Sequence, residues 1–370
     1  MKDLLRQFLI VALSTLFLIE FFSFLSIKLN IVKKNIPTWV TLHAHEDYGH
    51  WHPKNITFKN ISSQCWKSTV SYNNHGMRGV NKISLKKKRK RIALLGDSMI
   101  ENIELSDGLD IGSQIQKKLP EYEILNFSSR ATGLADQTDI YVKLIKKFDV
   151  DKIFLFVHYN DVINNSIHGN PKVYQRRYDY KDNKIVEIEK NFLWLENYNS
   201  KTNYFLRNKL IFLKQTNTYK VYLHLLEILK TDKQKEINLK KQKLKVNQFT
   251  NIYEKQFEIN KNIYEFLKKN FISVLDPNHE LFVILNIFPF SFSNSNMLNE
   301  EDIFIKNKIT PFLENIWSDV NFIYPTDLAK EYILLNRLKF PYFSWTCDRH
   351  YNIHGSQFIS DLVYNNVKKY

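Results

Sequence analysis

Five short apolar runs, each closed by a polar loop, limit what this chain can fold into more than any other feature. They are "RIALLG" at 91–96, "YEILNF" at 122–127, "KIFLFVHYND" at 152–161, "ELFVILNIF" at 280–288 and "NFIYPT" at 321–326. A strand with one wet face alternates apolar and polar residues. Near-continuous apolar runs of this length belong to strands covered on both faces, as in a parallel sheet. Helical stretches lie between them at 134–147 and 254–270, and a last helix is predicted over roughly 353–368. Strands alternating with helices predict an α/β domain from Arg91 to the C-terminus. Residues 170–250 interrupt the alternation and read as an insertion. Within it, "YDYKDNKIVEI" predicts a hairpin around Asp182 and Asn183, "YKVYLHLLEIL" at 219–229 a helix, and "KTDKQKEINLKKQKLK" a charged linker or exposed helix. No internal repeat is found.

Ahead of the sheet, "FLIVALSTLFLIEFFSFLSI" at 8–27 carries a single charge, Glu20. About 20 apolar residues suffice for a helix to cross a bilayer. No small-x-small cleavage site follows near 23–30, so an uncleaved anchor is expected rather than a removed signal. Glu20 within it is costly in lipid. It marks either a helix contact or a side chain that reaches the interface. Lys2 and Arg6 precede the span, and Lys28, Lys33 and Lys34 follow it. Basic residues on both sides leave the orientation open.

Between span and sheet, residues 35–90 read as irregular, polar and aromatic. "HAHEDYGHWH" places His43, His45, His50 and His52 close together, without the Cys or regular spacing of a metal site, and reads as a solvated loop. "LKKKRKR" at 85–91 reads as a solvated connection into the first strand. The formal charge is +15 and only 9 residues are Gly. Lys, Asn and Ile are abundant throughout, so the positive charge reads as chain-wide bias, and no nucleic-acid partner is implied. The two cysteines, Cys65 and Cys347, read as buried thiols, or as one bridge if the domain is exported.

In open α/β sheets, functional groups gather at the carboxyl ends of strands. There this chain places "GDSMIEN" at 96–102, "NFSSRATG" at 126–133, "YND" at 159–161 and, after the last strand, "DRHYNIHG" at 348–355. A Ser, a Gly-bearing loop, an Asn and an Asp/His pair together are what acyl transfer needs. Ser98 needs a base to remove its proton, which His350 would supply. Asp348 would fix the imidazole tautomer and stabilise the imidazolium. A rival reading takes Cys347, His350 and His354 as a C-x2-H-x3-H zinc cluster. It lacks a fourth ligand and leaves the other three loops unexplained. Asn352 is placed to cap the final helix and Gly355 to let it pack closely; His354 reads as a surface or supporting residue.

In these blocks the chain resembles the SGNH, or GDSL-like, hydrolases. The resemblance runs in pieces from Arg91 onward, and "YNNHGMRG" at 72–79 resembles a segment preceding the domain in membrane-anchored members. It implies a three-layer α/β/α fold with a mostly parallel, flavodoxin-like sheet, here with an N-terminal transmembrane helix. It also implies Ser98 as nucleophile, His350 and Asp348 completing the triad, and Asn160 as an oxyanion donor with the Ser98 amide. The second-block donor aligns with Gly133, or alternatively with Ala131. Two departures are visible: Tyr159 stands where the third block usually has Gly, and Asp348 and His350 are two apart where many members have three. The expected organisation is an anchor over 1–34, a linker and pre-domain segment over 35–90, and the hydrolase-like domain over 91–370.

The implied function is a membrane-anchored serine esterase acting on small acyl esters such as O-acetyl groups of a cell-surface glycan. The catalytic domain would be extracytoplasmic, on the periplasmic side of the membrane. An O-acyltransferase using the same acyl-enzyme is the alternative, and an inactive tethered scaffold is the non-enzymatic one. No metal or cofactor is implied.

Overall fold

In the computed structural model the described residues are 2–29, 43–45, 47–62, 65–166, 176–188, 218, 221, 256–286, 303–339, 342–345 and 347–369. All five apolar runs contain strands of one sheet: β1 (Lys90–Leu95), β2 (Tyr122–Asn126), β3 (Lys152–Val157), β4 (Glu280–Leu285) and β5 (Asn321–Ile323). They pair in the order β2-β1-β3-β4-β5, every pairing parallel. This is the flavodoxin-like order, in which the chain switches direction between β1 and β3. The register sets Leu94 beside Asn126 and Leu95 beside Leu155. The loops after β1, β2 and β3 therefore leave the sheet at one edge.

Successive strand residues point to opposite faces, and the core divides accordingly. Ala93, Leu95, Ile153, Leu155, Val283 and Leu285 pack on one face with the helices over Leu134–Lys143, 256–274 and Thr310–Ile316. Ile92, Leu94, Phe154, Phe156, Phe282 and Ile284 pack on the other, with the helices Ile111–Lys118, Thr326–Leu335 and Ile353–Lys369. The result is three layers, α/β/α. Asn352 caps the last helix: its side-chain oxygen accepts from the amides of His354 at 2.9 Å and Gly355 at 3.1 Å. A Cβ on Gly355 would lie 2.3 Å from the carbonyl oxygen of Phe343, so the close helix approach expected there does need glycine.

The segment before the sheet differs from its expectation. Rather than irregular, it holds an antiparallel hairpin, Ile56–Ser62 with Trp66–Tyr72. Single bridges from Tyr72 to Arg78 and from Arg78 to Asn126 carry the pairing on to the edge of β2. His50 and His52 are only 2% and 3% exposed, which excludes a solvated loop. The basic run is also partly built in. Arg91 is buried, pairs with Glu123 at 2.7 Å, and donates to the carbonyls of Leu85 and Ser84. Both corrections involve partners that local pattern does not show: His50 meets the Arg130 carbonyl and Arg91 the Glu123 carboxylate.

Within the stretch expected to be an insertion, Arg177–Lys181 pairs with Lys184–Ile188. The turn residues Asp182 and Asn183 have φ of 50° and 59°, the left-handed pair that a two-residue hairpin loop requires. The helix expected over 219–229 and the charged linker after it lie outside the described residues, apart from Val221. At the N-terminus, the helix Lys2–Lys28 includes one stretch, Arg6–Ser26, long and apolar enough to cross a membrane. By composition it could equally be a signal sequence. Glu20 accepts hydrogen bonds from the amide (3.0 Å) and hydroxyl (2.8 Å) of Thr218, which favours the helix-contact reading of that residue.

Candidate active site

Ser98 is placed by a helix of only four residues, Ser98–Glu101. Asp97 caps it, accepting from the Met99 amide at 2.9 Å, and Asn102 closes it at φ 52°. Ser98 is the first residue of this helix, where backbone amides have no intrahelical acceptor. Its own amide therefore points out of the helix.

His350 lies on Asp348–Tyr351, which pairs with Ser344–Trp345. The Asn102 side chain donates to the Tyr351 carbonyl at 3.1 Å and stitches this strand to the nucleophile helix. Two groups 252 positions apart are thereby joined: His350 Nε2 is 2.8 Å from Ser98 Oγ. His350 Nδ1 hydrogen-bonds Asp348 Oδ1, and the His350 amide donates to the same oxygen at 2.9 Å. Burial pulls the imidazole pKa down. The charge of Glu104, the hydrogen bond and charge of Asp348, and the charge of Asp97 outweigh it, raising His350 to about 9. Asp348 is held below the usual carboxylate range because the His350 hydrogen bond and charge overcome the effect of burial.

Asn160 follows β3 and is oriented from both sides. Its Oδ1 is 2.6 Å from His158 Nδ1, and its Nδ2 donates to Asp97 Oδ2 at 3.3 Å. Burial keeps the His158 pKa low. A neutral imidazole with its proton on Nδ1 can donate to Asn160 Oδ1, which leaves the amide nitrogen to Asp97, the residue before Ser98.

At the second block, the Gly133 amide already has an acceptor. The Gly133 amide donates to Asp136 Oδ2 at 3.0 Å, closing the start of the helix Leu134–Lys143. Glycine is required there for packing: a Cβ would lie 2.2 Å from Asn165 Oδ1. The alternative, Ala131, sits at φ 59° in the same loop.

That loop is clamped from below. Glu101, one turn after Ser98, accepts from the Arg130 amide at 2.8 Å and from its guanidinium at 2.7 Å. It also accepts from the Tyr72 hydroxyl, and His52 Nε2 lies 3.2 Å away. Burial would raise the Glu101 pKa, yet the charges of Arg130 and His52 hold it well below the ordinary value. His50 Nε2 meets the Arg130 carbonyl at 2.5 Å.

The sheet order and these loops agree with the SGNH/GDSL-like pattern the sequence blocks resemble. No family model matches the chain, and no curated relative does. Similar solved structures include the acetyl xylan esterase AlAXEase, at 14% identity and TM-score 0.35, covering 75% of this chain and 99% of that one. TesA stands at 8% and 0.37, covering 76% and 99%. A GDSL-like lipase from Parabacteroides merdae stands at 10% and 0.35, covering 78% and 99%. Scores this low add nothing to what the sheet order establishes.

Ser98, His350, Asp348 and Asn160 thus meet at one edge. Cys347 does not carry a free thiol. It is bonded to Cys65, with Cα atoms 6.0 Å apart, and His354 is exposed. The C-x2-H-x3-H spacing therefore does not assemble a metal site. Sequence reasoning missed His158, Glu104 and the Glu101–Arg130 clamp. Only Glu101 had a local signal, its i+3 spacing from Ser98.

Proposed function

We propose that this protein is a serine esterase that hydrolyses small acyl esters through Ser98, His350 and Asp348. The observation that carries the reading is the 2.8 Å contact between His350 Nε2 and Ser98 Oγ, with Asp348 bonded to the opposite ring nitrogen. As Ser98 Oγ attacks the ester carbonyl, His350 Nε2 takes its proton, and Asp348 stabilises the imidazolium. The oxyanion is held by the amides of Ser98 and Ala131 and by Asn160 Nδ2. His350 then returns the proton to the departing alcohol. Water repeats the sequence on the acyl-enzyme, releasing acid and free Ser98. The substrate in view is an O-acetyl group on a cell-surface glycan, because a span at 6–26 would tether the site at a membrane.

Hydrolysis of a short-chain chromogenic ester tests this reading. Only the neutral imidazole accepts the Ser98 proton. With His350 raised to about 9, kcat/KM should climb with pH through neutrality and level off near that value. Ser98→Ala should abolish turnover at every pH. Retained activity in that variant would sink the assignment.

A further inference from the structure

We propose that Glu104 is a second carboxylate partner of His350, a positioning residue acting on the imidazole alongside Asp348. This rests on the triad reading and extends it. Glu104 Oε1 is 3.8 Å from His350 Nδ1, on the ring edge that Asp348 also faces. The two carboxylates differ in setting. The Asp348 side chain is 33% exposed, that of Glu104 only 5%. Glu104 Oε2 is buried and has no hydrogen-bond partner. A buried carboxyl with one oxygen unpartnered is costly unless a nearby positive charge offsets it. Arg130 supplies part of that charge, and the imidazolium formed when Ser98 loses its proton is placed to supply more.

The loop holding Glu104 is fixed on both sides. The Ile103 carbonyl accepts from the side chains of Asn60 at 2.9 Å and Ser68 at 2.6 Å. The Leu105 carbonyl accepts from Arg78 at 3.1 Å. The hairpin ahead of the sheet therefore holds the carboxylate in place. Charge acts more strongly in a buried setting than at a wet surface, so the deeper carboxylate can influence His350 despite its longer distance.

The groups facing His350 are Asp348 on its own strand, Glu104 on the loop after the nucleophile helix, Asp97 before that helix and His158 after β3. Arg130 faces Glu104 from the second-block loop. Burial raises the Glu104 pKa and the charge of His350 opposes that shift, in keeping with direct coupling.

The test is the imidazole titration of His350, followed by NMR in full-length protein labelled with 15N-histidine and assigned with His350→Gln. It needs no turnover, so it can fail independently of the esterase reading. In wild type His350 should titrate well above 6.5. In Glu104→Gln it should titrate roughly 1–3 pH units lower, and the acid limb of kcat/KM on the chromogenic ester should move down with it. Asp348→Asn should keep measurable turnover, and the double variant should fall to the Ser98→Ala level. An unmoved titration in a folded Glu104→Gln protein would overturn the proposal. Should that variant not fold, a wild-type His350 titrating at or below 6.5 would overturn it equally.

Discussion

Asn160 shows how a residue can be legible in type and still need structure for its orientation. The third block points to an Asn after a strand, and Tyr159 in place of the usual Gly does not change that side chain. What holds the amide is His158, two positions earlier, together with Asp97 from the loop after β1. Neither contact has a sequence signature. Truncating Asn160 to Ala should lower kcat by about 10²–10³ and leave KM nearly unchanged, because the amide acts on charge that develops only during reaction. A steady-state comparison in which KM rises and kcat holds would assign Asn160 to substrate binding instead. Gly133 makes the complementary point. The sequence marks it as a special position, but the need is steric, against Asn165, and its amide serves the helix start.

At the scale of elements, the strands, the final helix and the Asp182–Asn183 hairpin were readable because each follows from local pattern or turn chemistry. The hairpin ahead of the sheet was not. Several polar groups in and around it find partners at long range, as with Asn60 and Ile103, 43 positions apart, His50 and Arg130, 80 apart, or Arg78 paired with Asp107. Without those partners, histidines and charges read as solvated. Once paired, they become part of the site: breaking a buried ion pair such as Glu101–Arg130 typically costs about 3–5 kcal/mol. The Cys65–Cys347 bond ties this same hairpin to the strand carrying Asp348 and His350. The N-terminal helix is the element whose role composition leaves most open. As an anchor, it should keep the protein in the membrane fraction after alkaline carbonate extraction, with the helix over Arg6–Ser26 retained in the mature protein. A soluble product beginning after residue 27 would identify a cleaved signal instead.

Over the whole molecule, the parallel order β2-β1-β3-β4-β5 gives the loops after β1, β2 and β3 one shared edge and brings Ser98 and Asn160 together, while His350 arrives on the separate pair Ser344–Trp345 with Asp348–Tyr351. The flavodoxin-like order was implied only by the family resemblance, while a parallel α/β sheet was legible from near-continuous apolar strands separated by helices. The electrostatics around His350 were not, because they depend on carboxylates from three separate loops meeting at one ring. The central claim is that Ser98 is a nucleophile activated by His350. Peptide mapping by mass spectrometry after treatment with a fluorophosphonate probe tests it most directly. The adduct should map to Ser98, and labelling should be lost or strongly slowed in His350→Ala. An unlabelled wild-type protein, or an adduct on another residue that survives His350→Ala, would contradict the account.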